Sequence, residues 1–118
     1  MSVANRLAER STLTGVQLET LALHRRVLSG EISLRQAADQ RKRGPVSVGA
    51  YYRVVGQAQK NVRASILTVL TALWLGYVKF EDVSRLLQLV GKGPIELGEE
   101  ETDQLMMVLN AVLDKIVM

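Results

Sequence analysis

The chain has no cysteine, one histidine, two prolines and only 4% aromatic residues among its 118. Each shortage removes a class of protein. Without cysteine there is no disulfide framework and no thiolate chemistry, and a lone His24 cannot build a histidine-rich metal site. Nine glycines and two prolines beside so few aromatics argue against a β-sandwich, with its many turns and half-buried strands. Long apolar runs are scarce as well. The longest, Ala64 to Val78, spans fifteen residues, where a bilayer takes about 20, so it reads as a buried helix and no membrane partner is expected. The first fifteen residues hold Arg6, Glu9 and Arg10 and lack an apolar run, so no secretory leader is expected. What remains is 47% hydrophobic residues and a mean hydropathy of +0.10. That content excludes disorder and suffices for one compact domain burying roughly two-thirds of its unfolded surface.

The net charge of +3 hides a division. Residues 1–63 carry eleven Lys/Arg against four acids, whereas residues 64–118 carry four against eight. A basic half joined to an acidic, apolar half is the pattern of a chain that meets a polyanion with one end and protein with the other.

Helix signals divide the sequence. Residues 1–13 read as a flexible N-terminal arm. Thr14-Gly15-Val16-Gln17 fits a capping box, followed by Leu18, Leu21, Ala22 and Leu28 at helical spacing, ending at Ser29-Gly30. Ser33-Leu34-Arg35-Gln36 offers a second box before Ala37-Ala38, predicting a short helix over about 34–42. Arg43-Gly44-Pro45 breaks it, and Ser47 is placed to cap a third. In that third helix Val48, Tyr51, Val55, Ala58, Val62, Ile66, Val69 and Leu73 form one apolar stripe, predicting close to thirty helical residues before Gly76. Beyond Ala64 the opposite face turns apolar too, with Leu67, Thr71 and Trp74. Phe80 to Val90 forms a further helix, Gly91-Lys92-Gly93-Pro94 a break, and Glu99 to Val117 a last helix opened by acids. The sequence therefore predicts an all-α chain of about five helices. Residues 14–63 form one part, and residues 64–118 a helical core and dimerisation part.

Three consecutive helices, the middle one short and the third capped by Ser47 and rich in polar side chains, make a helix-turn-helix pattern. Val46-Ser47, Tyr51, Val54, Ala58 and Val62-Arg63 stand at the spacing of the recognition helix in the fourth region of bacterial sigma factors. Gln17-Leu18-Glu19, Gly30, Ser33 and Ala37-Ala38 fit the upstream pieces. Over residues 14–63 the chain resembles the sigma-type helix-turn-helix shared by many small regulators of bacteria and archaea. One departure is the connection from Ala38 to Val46, about three residues longer than the usual tight turn and filled by Arg41-Lys42-Arg43-Gly44-Pro45. Nothing after residue 64 is similar to a sigma factor.

Groove chemistry assigns roles to the third helix. Ser47 caps it, Gly49 and Ala50 let backbone approach DNA, and Tyr52, Arg53 and Gln57 reach base edges, Arg pairing with guanine and Gln with adenine. Lys60, Arg63 and Arg41, Lys42 and Arg43 fall on phosphates. Each has a plainer reading. Gly49 and Gly56 can serve close helix packing, Arg53 and Lys60 an ordinary solvated face, and the 41–43 run a solvated loop. Tyr51 reads as core, and His24 as an exposed helix residue beside Arg25 and Arg26. Catalysis is not expected. Glu81-Asp82 and Glu100-Glu101 adjoin and point to different sides of a helix, and no serine sits in a nucleophile elbow.

Leu67, Leu70 and Trp74, with a second seam of Leu105, Leu109, Val112 and Ile116, exceed the apolar surface one small chain hides. They predict a homodimer holding two recognition helices to half-sites about 34 Å apart. The expectation is a cytoplasmic, nucleoid-associated transcription regulator that binds double-stranded DNA and needs no cofactor or metal. Its rivals are an architectural protein that grips phosphates with little base readout, and a helical module that binds only protein.

Overall fold

Within residues 3–91 and 97–116, which the computed structural model describes, every regular element is an α-helix. They are α1 (Val3–Glu9), α2 (Gly15–Leu28), α3 (Leu34–Asp39), α4 (Val48–Trp74), α5 (Phe80–Val90) and α6 (Glu99–Ile116). The helix starts follow from side-chain caps. Thr14 Oγ1 accepts the Gln17 amide at 3.1 Å while Gln17 Oε1 accepts the Thr14 amide at 3.2 Å. Ser33 and Gln36 form the same reciprocal pair at 3.1 and 2.8 Å, and Ser47 Oγ accepts the Ala50 amide at 3.1 Å. Each cap satisfies an amide that the helix itself leaves unpaired.

The helix ends are equally local. Gly76 has φ +73°, which lets its amide bond Leu73 O at 3.0 Å and the Tyr77 amide bond Ala72 O at 2.9 Å. That 6→1 and 5→2 pair stops α4, and only glycine adopts the conformation without strain. Gly30 ends α2 in the same way. The break expected at Gly91-Lys92-Gly93-Pro94 lies, from Lys92 on, outside the described residues.

Contacts divide the chain into two compact units, one of Ser11–Ser65 and one of the first ten residues with Ile66 onward. The first lies within three residues of the 14–63 part read from sequence. Residues 48–65 of α4 belong to one unit and residues 66–74 to the other. Ser11–Ser65 carries nine Lys/Arg against three acids and is here called the basic unit; the remainder carries six against nine and is called the acidic unit.

The basic unit packs α2, α3 and the start of α4 around Leu23, Ala37, Ala38, Tyr51 and Val55. Ala37 and Ala38 are fully buried, and their small side chains let α3 approach closely. His24, expected at the surface, is buried here, and its Nδ1 lies 3.2 Å from the Tyr51 hydroxyl. Burial pushes the Tyr51 phenol above its ordinary 10.0, and neighbouring Tyr52 adds in the same direction.

In the acidic unit the residues buried among those described are Thr102, Met106, Leu109 and Ile116, all from α6. The segment expected to be a flexible arm contains α1, which packs on α6 through an Arg6–Asp103 ion pair and an Arg10–Asn110 hydrogen bond. The four-residue seam expected to face a partner is used inside this unit: Leu109 and Ile116 are buried and Leu105 and Val112 half-buried. The apolar stripe of α4 also departs from expectation. It is buried at Tyr51, Val55 and Ala58, whereas Val62, Ile66 and Val69 are exposed.

Candidate nucleic-acid interface

The first four turns of α4 present two unlike faces. Tyr51, Val55 and Ala58 turn into the core of the basic unit. A stripe at alternating spacings of four and three, Gly49, Arg53, Gly56, Lys60 and Arg63, lies on the opposite side and is exposed throughout. Tyr52 and Gln57 flank it and are exposed as well, while Ala50 is half-buried. No acid occurs in α4, and Arg53, Lys60 and Arg63 form no ion pair among the described residues. Six residues expected to act together, Gly49, Tyr52, Arg53, Gln57, Lys60 and Arg63, are thus all exposed along residues 49–63 of α4, with Gly56 among them.

The two glycines bear on the choice between packing and approach. A Cβ built at Gly49 or Gly56 meets nothing within 4 Å. Neither glycine is therefore required by a neighbour in the chain. Each costs its helix about 1 kcal/mol relative to alanine. The close-packing reading of these positions has no internal partner.

The 40–47 connection corrects one assignment. The Arg41 side chain is only 9% exposed, with its Nε 3.6 Å from Glu19 Oε1 in an ion pair. The same carboxylate oxygen accepts the Lys42 amide at 3.2 Å. Arg41 is thus turned inward to anchor the loop on α2 and is not a phosphate contact; Lys42 and Arg43 remain exposed. Gly44, with φ +109°, turns the chain so that the Val46 amide reaches Ala38 O at 3.2 Å, setting the entry to α4.

Several contributors were not singled out from sequence. The Tyr52 ring meets the edge of His24 at a centroid distance of 6.1 Å and 71°, which holds the tyrosine beside the cationic stripe. Arg25 and Arg35 are exposed and form no ion pair among the described residues, whereas Arg26 is held by Glu31 at 3.0 Å. Asn61 ties α4 to the segment before α2, donating to Thr12 O at 2.8 Å and to Gln17 Oε1 at 3.0 Å. Asn61 offered no such signal, since its partners lie more than forty residues away.

Among the described residues no group of His, Cys, Asp or Glu could hold a metal ion, and no helix is long and apolar enough to cross a membrane. The cavity lined by Ser84, Leu87, Gln88 and Gly91 is an open depression without a charged side chain. Comparison with known proteins finds no matching family model, no matching curated protein and no matching solved structure.

Proposed function

We propose that the chain is a double-stranded DNA-binding protein, a transcription regulator of the helix-turn-helix kind that inserts the first half of α4 into the major groove. The observation that carries this reading is the exposed, acid-free face of Gly49, Arg53, Gly56, Lys60 and Arg63, with two glycines that no neighbour in the chain requires. Arg53 and Gln57 have the donor and acceptor sets for guanine and adenine edges. Tyr52, Ala50 and Ser47 flank them at the start of the helix. Lys60, Arg63, Lys42 and Arg43 meet phosphates, which fix register without reading sequence. The helix order, with a short α3 before a capped α4, agrees with the sigma-type resemblance. A cytoplasmic, nucleoid-associated location belongs to the same proposal.

A second reading rests on Arg25 of α2 and Arg35 of α3, exposed cations outside α4 that form no ion pair among the described residues. They suit an architectural protein that holds backbone over a wider footprint. Selection of bound sites from a random DNA library, followed by two variants, separates the readings. Arg53→Ala is expected to cost about 1–3 kcal/mol on the selected site and relax preference at one base pair. Lys60→Ala is expected to weaken all sequences alike and reduce the salt slope by about 1. Equal, sequence-blind losses from both favour the architectural protein. No loss from either removes DNA from the proposal.

A further inference from the structure

The acidic unit has an incomplete interior. Its buried residues, among those described, come from α6 alone, and α5 buries none although Val83, Leu86, Leu87 and Val90 gather on one side. Meanwhile Leu67, Leu70, Trp74, Leu75, Phe80 and Leu87 stand more than half exposed, Trp74 at 90%. Together these side chains leave on the order of 1,000 Å² of apolar surface in water, where the largest patch on a typical monomer is about 300–600 Å². A standard protein interface buries about 800 Å² on each partner. The exposed area is therefore that of one side of a stable interface.

Charge identifies the occupant. Between Arg63 and Lys79 there is no charged side chain. An isologous contact sets a patch against itself, so any net charge in it would face its own copy. The part of the patch before Lys79 is uncharged and so compatible with itself, and around Phe80 and Leu87 the charges of Lys79 and Arg85 offset those of Glu81 and Asp82. The Thr71 hydroxyl within it already donates to Leu67 O at 2.8 Å and enters an interface without an unmade bond. An anionic lipid surface finds no net positive charge to hold it here, since Lys79 and Arg85 only offset Glu81 and Asp82. A bound copy also covers Leu87, which stays 62% exposed although α5 packs on α6.

We infer that the face formed by residues 66–74 of α4, Leu75, Phe80 and Leu87 is the two-fold interface between two copies of this chain, and that the second copy completes the core of the acidic unit. This does not rest on the nucleic-acid reading, and Arg53→Ala is expected to leave association unchanged. Trp74 is the one tryptophan in the sequence and is the most exposed of these side chains, at 90%. The full chain, diluted over about three decades from tens of micromolar, is followed by sedimentation and by Trp74 emission and acrylamide quenching. The expected result is a dimer mass at the upper end, with blue-shifted emission quenched several-fold more slowly than after dilution. The melting temperature should rise with protein concentration, as mass action requires. Trp74→Lys should abolish the dimer; Leu67→Ser, a milder change at the same face, should weaken it several-fold with helical content retained. A monomer with fully quenchable Trp74 at every concentration overturns the inference. So does a monomer whose Trp74 emission shifts only on neutral or anionic vesicles, which would assign the face to lipid, or a dimer in which Trp74 stays exposed.

Discussion

The basic unit buries side chains from three helices, whereas in the acidic unit the buried side chains, among the described residues, come from one. Leu23 of α2, Ala37 and Ala38 of α3 and Tyr51 and Val55 of α4 meet in a single core, and the helices around it start on side-chain caps. In the acidic unit Met106, Leu109 and Ile116 are buried, while the large apolar side chains of 66–75 stay in water. α5 begins at Lys79 without a side-chain cap. The difference teaches that apolar content does not decide whether a segment closes on itself. The acidic unit is the more apolar along α4, yet it is the one left open. What decides is whether each apolar stripe has a neighbour, and capped short helices supply such neighbours locally where a long helix outruns them.

The largest expected effect tests the closed unit. Tyr51 is fully buried and bonded to His24, so Tyr51→Ala should cost about 3–5 kcal/mol. Amide hydrogen exchange in α2 and α3 should lose its protection, with α6 much less affected. Equal loss in both units would make them one cooperative body and end the comparison. The same residue gives a pH test. With the folded phenol held above 10.0, raising pH past that value deprotonates the unfolded chain first. Stability is thus fully present below 10.0 and falls as pH climbs above it. Tyr51→Phe should remove that alkaline slope while costing about 1–3 kcal/mol at neutral pH for the bond lost at His24.

How much of this was legible follows the range of each interaction. The capping boxes at Thr14/Gln17 and Ser33/Gln36, the Ser47 cap and the span of α5 could all be read, because their partners lie within a turn or two. The cationic face of α4 was legible for the same reason. Helix α1 was not: seven residues are too few to mark an apolar face, and they pack as a helix on α6, where Arg6 meets an acid 97 residues away. Arg41 looked like a free cation because nothing nearby marks Glu19, on another helix, as its partner. Periodicity identified the apolar side of α4 through Leu73, but says nothing about where covering neighbours lie: the stripe is buried through Ala58, exposed at Val62, Ile66 and Val69, and half-buried again at Leu73. His24 carried no sign of burial, since its partner is the hydroxyl of a residue 27 positions on.

Two buried threonines sharpen the contrast at a smaller scale. Thr20 in the basic unit is fully buried, and its hydroxyl makes no hydrogen bond. Thr102 in the acidic unit is buried too, but its hydroxyl donates to Gly98 O at 2.8 Å. Valine matches threonine in shape and lacks the hydroxyl. Thr20→Val should therefore stabilise by about 1 kcal/mol, and Thr102→Val should destabilise by about as much. Chemical denaturation of the two variants checks the opposite signs. A loss at Thr20 would mean that its hydroxyl has a partner after all, and Arg41 Nε would then be the one buried side-chain atom of the basic unit without a hydrogen bond among the described residues.

The smallest effect addresses what the exposed face of α4 is for. At Gly56 an added Cβ meets nothing within 4 Å, and the helical backbone there tolerates any side chain. Gly56→Ala should raise stability by about 0.5–1 kcal/mol through helix propensity alone. If the face approaches a DNA groove, the added methyl group and the larger Gly56→Leu side chain should lower affinity stepwise while both variants remain at least as stable as the parent. Stability and binding then move in opposite directions at one residue, which neither a packing glycine nor an idle one produces. A fall in stability would show that the position is covered within the chain. Unchanged affinity for both variants would show that Gly56 is no part of the contact and would confine it to the start of the helix, at Gly49 and Arg53.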